Sequence, residues 1–259
     1  MKTFLAWAAA VSFCACLAMG SGPASAALVT PDVIFGSGNA NGSFTVVQQD
    51  GIELGLRGKL RYNTSGLPEN TFNYDGGNTY TFDPADGNPP AGRAMWNFDW
   101  SINSNFDGSS GRNLDDLLYL LTIDFDPGPG AVGFSFDPIN LPLADHAIGT
   151  NATGNGGGTV AANGVQYASL IASNNVAQNS GNLGFFLAFA PPGFDPQSEG
   201  IFTIGLRAFD SHGSIFLENS INVIVGTASV PLPATLLLFA AALGALAITS
   251  RRRLRQAPI

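Results

Sequence analysis

The stretch Trp96-Asn97-Phe98-Asp99-Trp100-Ser101-Ile102-Asn103 alternates large apolar residues with polar ones at every step. Successive side chains of an extended chain point to opposite faces. The period of two therefore predicts a strand with its aromatic face buried and Asn97, Asp99, Ser101 and Asn103 toward water. The same period runs through Ile52, Leu54, Leu56, Leu60 and Tyr62, interleaved with Glu53, Arg57, Lys59 and Arg61. Working outward, further strands are expected over 44–48, 79–82, 117–125, 132–136, 183–189, 201–209 and 215–225. Turn formers separate them, among them Asp75-Gly76-Gly77, Asp86-Gly87-Asn88-Pro89-Pro90, Asp126-Pro127-Gly128-Pro129-Gly130 and Ser211-His212-Gly213. A helix is suggested only over 165–176, where the apolar stripe is poor. Many short strands with this punctuation predict an all-β body, an antiparallel β-sandwich or jelly roll.

The two ends differ from this body. Met1 and Lys2 precede an apolar run from Phe4 to Met19, and Ala24-Ser25-Ala26 follows. One positive charge, a short apolar core and small residues at Ala24 and Ala26 read as a secretory signal peptide over 1–26, cut after Ala26. Cys14 and Cys16 fall inside it, so no cysteine is left for disulfides or thiol chemistry in the remaining chain. At the other end Val230-Pro231-Leu232-Pro233-Ala234 leads into an apolar segment, 234–249, followed by Arg251, Arg252, Arg253 and Arg255. Such a segment with arginines directly after it reads as a single transmembrane helix whose arginines stay cytoplasmic, leaving the body, 27–229, outside. By these features alone it is a plain single-pass anchor.

The order of the tail's parts adds to this: a Pro-containing motif at 230–234, a short Leu-, Ala- and Gly-rich helix, then an Arg cluster at 251–255. It resembles the PEP-CTERM sorting signal of Gram-negative bacteria, with Leu232 standing where the namesake glutamate would be. The stretches GRAMWNFDWSIN (92–103), DDLLYLLTIDFDPG (115–128) and ADHAIGTNATGNGGGTVAANG (144–164) also look like the ectodomain of a PEP-CTERM group. The resemblance implies an inner-membrane precursor processed by an exosortase in an organism that makes exopolysaccharide. The mature protein is then expected at the cell surface or in the extracellular matrix. It implies no known activity for the body.

Composition narrows the partners. The whole chain has 259 residues and a formal charge of −8. In 27–229 six cations (Arg57, Lys59, Arg61, Arg93, Arg112 and Arg207) face all nineteen acids, a balance of −13. So acidic a surface repels nucleic acid, and neutral glycans or cations are the partners it admits. A body of about 200 residues buries about 70% of its unfolded surface, enough for one β-domain without staples. The run Thr150 to Gly158 lacks the lysine and hydroxyl of a phosphate loop and reads as a plain loop.

Parts for catalysis are few, and no enzyme is expected. His146 and His212 are the sole histidines, and Asp145 and His146, adjacent in sequence, point apart if extended. Asp115 with Asp116, and Asp124 with Asp126, are carboxylate pairs, but glycoside hydrolysis needs two carboxyls facing across a cleft. Turn capping explains them as well. The row Trp96, Phe98, Trp100 is a sandwich core or, alternatively, a sugar-stacking platform that makes the body a glycan-binding module. Arg57, Lys59 and Arg61 read as a solvated sheet face or guarded edge, or as a local site for acidic polysaccharide. No cofactor is required by these residues. Calcium is the single metal suggested: Asn103, Asn105 and Asp107 with Gly108 follow the opening of a Ca²⁺ loop, and Asp115 is the nearest carboxylate able to close it, since Leu114 occupies the twelfth position.

Overall fold

A computed structural model describes residues 42–128, 133–210 and 213–226. They form eleven strands and one short helix: β1 (Thr45–Gln49), β2 (Ile52–Tyr62), β3 (Pro68–Thr71), β4 (Thr79–Phe82), β5 (Trp96–Asn103), β6 (Leu118–Asp124), β7 (Gly133–Phe136), β8 (Ala147–Gly149), α1 (Gly164–Ile171), β9 (Val176–Gly181), β10 (Gly200–Phe209) and β11 (Ile215–Val225). One sheet runs β1-β2-β5-β9-β8, with β3 pairing β2, and the other runs β4-β11-β10-β6-β7. All ladders are antiparallel except β4 on β11, which is parallel. The fold is thus all-β. None of the helices among the described residues is long and apolar enough to cross a membrane.

The β1–β2 turn shows how local chemistry sets register. Asp50 and Gly51 form a two-residue loop, both with positive φ (48° and 79°), the geometry that matches the twist of a hairpin. A Cβ on Gly51 would also stand 2.6 Å from Ser109 Oγ, so only glycine fits there. The hairpin brings Gln48 opposite Glu53, and Gln48 Nε2 donates to its carboxylate at 2.6 Å.

Both sheets contribute to one core. Trp96, Phe98, Trp100 and Ile102 from β5 and Leu54, Leu56 and Leu60 from β2 meet Tyr119, Leu121, Ile123, Phe202, Ile204 and Leu206 from the facing sheet. Trp96 lies 5.6 Å from Phe202, ring centre to ring centre. Each such side chain removed from water contributes about 1.5–3 kcal/mol. The aromatic row of β5 is therefore core, as its period indicates.

Its opposite face corrects the expectation of a wet surface. Asn97, Asp99, Ser101 and Asn103 are all buried, as are Glu53, Arg57 and Lys59 on β2. Alternation correctly separates two faces of a strand, but it does not say that the polar face meets water. Here that face carries a buried ion network. Arg57 Nε–H donates to Asp99 Oδ2 at 2.7 Å and Nη1 to the Gly42 carbonyl at 2.8 Å. The guanidinium carbon lies 4.3 Å from the centre of the Phe44 ring and 4.5 Å from that of Phe72. Lys59 Nζ stands 3.2 Å from Asp99 Oδ1. Burial pulls the Lys59 pKa below its ordinary value, Asp99 opposes the shift, and Arg57 adds to it. Nor is β2 an edge, for it lies between β5 on one side and β1 and β3 on the other.

Three further expectations change. The apolar run 183–189 is not a strand but two 3-10 turns, Leu183–Phe185 and Leu187–Phe189. The helix is shorter, Gly164–Ile171, begun by Asn163, whose side chain accepts from Gln166 N. Val176, placed at the helix's end by sequence, instead opens β9.

Candidate functional site

One cleft is lined by side chains of both sheets, from β5 and β9 on one and β6 and β7 on the other. Asn182 organises this region. Its Oδ1 accepts from the backbone N–H of Ala94 and Gly184, and its Nδ2 donates to the carbonyls of Ala94 and Trp96 and to Asn97 Oδ1. This buried clamp stops β9 at Gly181 and turns the chain into the 3-10 segment that carries Phe185 and Phe186. Gly181 is itself required, because a Cβ there would sit 2.3 Å from the Phe98 ring.

The resulting cleft measures about 340 Å³, within the range of small-molecule sites. Phe98, Trp100, Phe136 and Phe186 line it, with Asp145 and Asn179 among its polar groups. Asn179 joins the pair that sequence set apart: its Nδ2 donates to Asp145 Oδ1 and to His146 Nδ1, both at 2.9 Å. Asp145 is exposed and His146 buried, so the two do point apart, yet one amide holds both. His146 Nε2 lies 2.5 Å from the Pro138 carbonyl, an acceptor only, so Nε2 carries the proton and Nδ1 accepts. Burial holds the ring's pKa below the ordinary imidazole value, against smaller opposing effects of the Pro138 carbonyl and Asp145. With both nitrogens committed, the ring is a neutral wall of the cleft and stacks edge-on with Trp100 at 4.7 Å.

The carboxylate pairs resolve into caps. Asp124 is buried and accepts from Asp126 N and Thr203 N, and Asp126 accepts from Gly128 N. Asp116 accepts from Asn113 N at the start of a 3-10 turn on which Asp115 is exposed. Among the described residues Asp145 is the one carboxylate lining the cleft, and they assemble no two-carboxyl arrangement there.

The residues read as a calcium loop divide in two. Asn103 is buried, its Oδ1 accepting from Asn105 N and Asn175 Nδ2, and its Nδ2 donating to Asn151. Asn105 Oδ1 accepts from the backbone N–H of Ser110 and Gly111 and from the Ser110 hydroxyl. Asp107 caps Ser109 N at the exposed tip, and the Ser109 side chain first and its backbone N–H second hold the carboxyl below the usual range, while Asp115 lies on the separate 3-10 turn. Among the described residues no group of three or more His, Cys, Asp or Glu is placed to hold a metal ion.

Arg57 and Lys59, read as a possible polysaccharide contact, are buried and paired with Asp99 and so are not presented to a ligand. Ala24 and Ala26, the motif Val230, Pro231, Leu232, Pro233 and Ala234, the segment 234–249 expected to span a membrane, the arginines 251–253 and His212 lie outside the described residues. Sequence reasoning missed Asn179, Asn182, Phe136 and Phe186. Nothing local marks them, since the partners that bring them to the cleft include residues far off in the chain: Asn179 meets His146, Asn182 meets Ala94, and Phe186 meets Phe136. The chain matches no protein-family model, and no curated protein is significantly similar to it.

Proposed function

We propose that the protein is an exported surface or matrix protein, made as a membrane-anchored precursor in a Gram-negative bacterium and processed at its tail by an exosortase. The observation that carries this reading is the order of parts after residue 229: Val230-Pro231-Leu232-Pro233-Ala234, an apolar segment and the cluster Arg251-Arg252-Arg253. The arginines would hold the helix end in the cytoplasm, presenting the motif at the outer face of the inner membrane. A cysteine-free, strongly acidic β-body is consistent with an envelope or exopolysaccharide setting and with a structural or interaction role. Deleting the exosortase, or replacing the three arginines by alanine, is expected to leave uncleaved precursor. Intact mass decides it: an identical mature mass in the wild-type and deletion strains leaves only a simple anchor.

A second reading makes the ectodomain a glycan-binding module. The aromatic cleft closed by Asp145 and Asn179 favours it, in place of the buried Trp96 row.

A further inference from the structure

We infer that this cleft takes a neutral pyranose residue, with Asp145 accepting hydrogen bonds from its hydroxyls and Phe186 and Phe136 forming the wall on which the ring lies. The inference rests on the glycan-binding reading and gives it a site.

The wall is a run of neighbouring rings, each turned from the next. Phe98 and Phe186 lie 6.2 Å apart at 29°, Phe186 and Phe136 5.8 Å at 34°, and Phe136 and Phe134 5.4 Å at 22°. Phe189 continues the run at 4.1 Å from Phe134 and is 57% exposed, so the series reaches the surface. Phe136 and Phe186 are neighbours and only partly buried, so apolar ring surface is left toward the cleft for the apolar face of a sugar.

The polar side matches a hydroxyl-bearing ligand. Asn179 Nδ2 spends one hydrogen on Asp145 Oδ1 and the other on His146 Nδ1, which fixes the carboxylate at the rim. Asp145 remains exposed, and its carboxylate offers further acceptor positions. Vicinal hydroxyls are donors that can fill them. A uronic acid would bring its own carboxylate against Asp145 in a body of charge −13, so the sugar is neutral. The smaller depression of about 110 Å³ between Pro84, Pro89, Pro196 and Trp96 has no charged lining group and makes no comparable offer.

The test uses the purified full-length protein in detergent and a panel of methyl glycosides of glucose, galactose and mannose, with glucuronic acid and benzyltrimethylammonium alongside. Trp100 lines the cleft, so intrinsic fluorescence reports occupancy, with calorimetry as the second readout. A saturable response to at least one neutral glycoside is expected, with Kd on the order of 1 mM. Asp145→Asn, at an exposed position, and Phe186→Leu, which keeps an apolar side chain, should each weaken it about tenfold, a loss of about 1.4 kcal/mol. Failure of every neutral sugar to bind wild type overturns the glycan reading itself. Sugar binding that survives both substitutions keeps that reading but removes the site from this cleft. Preference for the ammonium probe or for glucuronic acid overturns the assignment of a neutral sugar.

Discussion

Strands β5 and β10 each lie within their own sheet, and each alternates inward and outward residues, yet their outward faces have opposite fates. On β10 the inward residues Phe202, Ile204, Leu206 and Ala208 are buried while Ile201, Thr203, Gly205, Arg207 and Phe209 are only partly so. On β5 all eight residues are buried. The ion pairs follow suit. Arg207 and Glu218 meet across β10 and β11 at 2.6 Å with side chains 39% and 46% exposed, whereas Arg57 and Asp99 meet at 2.7 Å with almost none. Equal distances therefore stand for unequal energies. A pair in water gains little, because solvent screens it. A buried pair whose partner is removed leaves a charge that water cannot reach.

The contrast can be broken by substitution. Asp99→Ala removes the buried carboxylate that faces Arg57 and Lys59 and is expected to destabilise the fold by about 3–5 kcal/mol, read by urea unfolding. That equals the cost of emptying a core aromatic site such as Trp100, also about 3–5 kcal/mol. If Asp99→Ala costs under about 1 kcal/mol, the outer face of β5 is wetter than its geometry indicates and the contrast fails.

An acid titration sharpens it for the side of the molecule that holds the cleft. The folded-state pKa of His146 lies below the ordinary 6.5, so the unfolded chain takes up its proton first as pH falls. The stability this neutral ring contributes is complete above pH 6.5 and is lost as pH drops below it toward the lowered folded value. Unfolding free energies between pH 7.5 and 5.5, above the ordinary carboxylate range, should decline in wild type and decline less in His146→Gln. Equal slopes would mean that folding leaves the pKa of the ring unshifted, so that burial does not hold it neutral. The smallest effect is expected on the open face of β10 and β11: Glu218→Ala should change stability by less than about 1 kcal/mol and be insensitive to added salt above about 0.15 M.

Much of the architecture was legible because it depends on period and punctuation. Thr79–Phe82 and Ile215–Val225 coincide with their strands to the residue, and Trp96 to Asn103 is β5. The failures have a common cause in distant partners. The sequence Val176-Ala-Gln-Asn-Ser-Gly181 has hardly any apolar alternation, yet it is a strand because it fits between β5 and β8. The run 183–189 is apolar enough for a buried strand, but the Asn182 clamp diverts it and leaves Phe185 and Phe189 at the surface. At the site, Asp145 next to His146 was visible, as were Phe98 and Trp100. What unites them is Asn179, thirty-three residues from His146, and no local pattern announces an asparagine of that kind.

The parallel pairing of β4 with β11 bears on the timing of folding. β11 lies inside its sheet, between β4 and β10, but it is the last strand along the described chain. Asn219 on it also donates to the carbonyls of Thr45 and Leu54, 174 and 165 residues earlier. Contacts of such separation form slowly, since the intervening loop must close before they contribute. Neither sheet can reach its final partners until the segment around 215–225 has emerged. If the chain is exported N-terminus first, as proposed above, nearly its whole body would cross before the fold could close on its final strand.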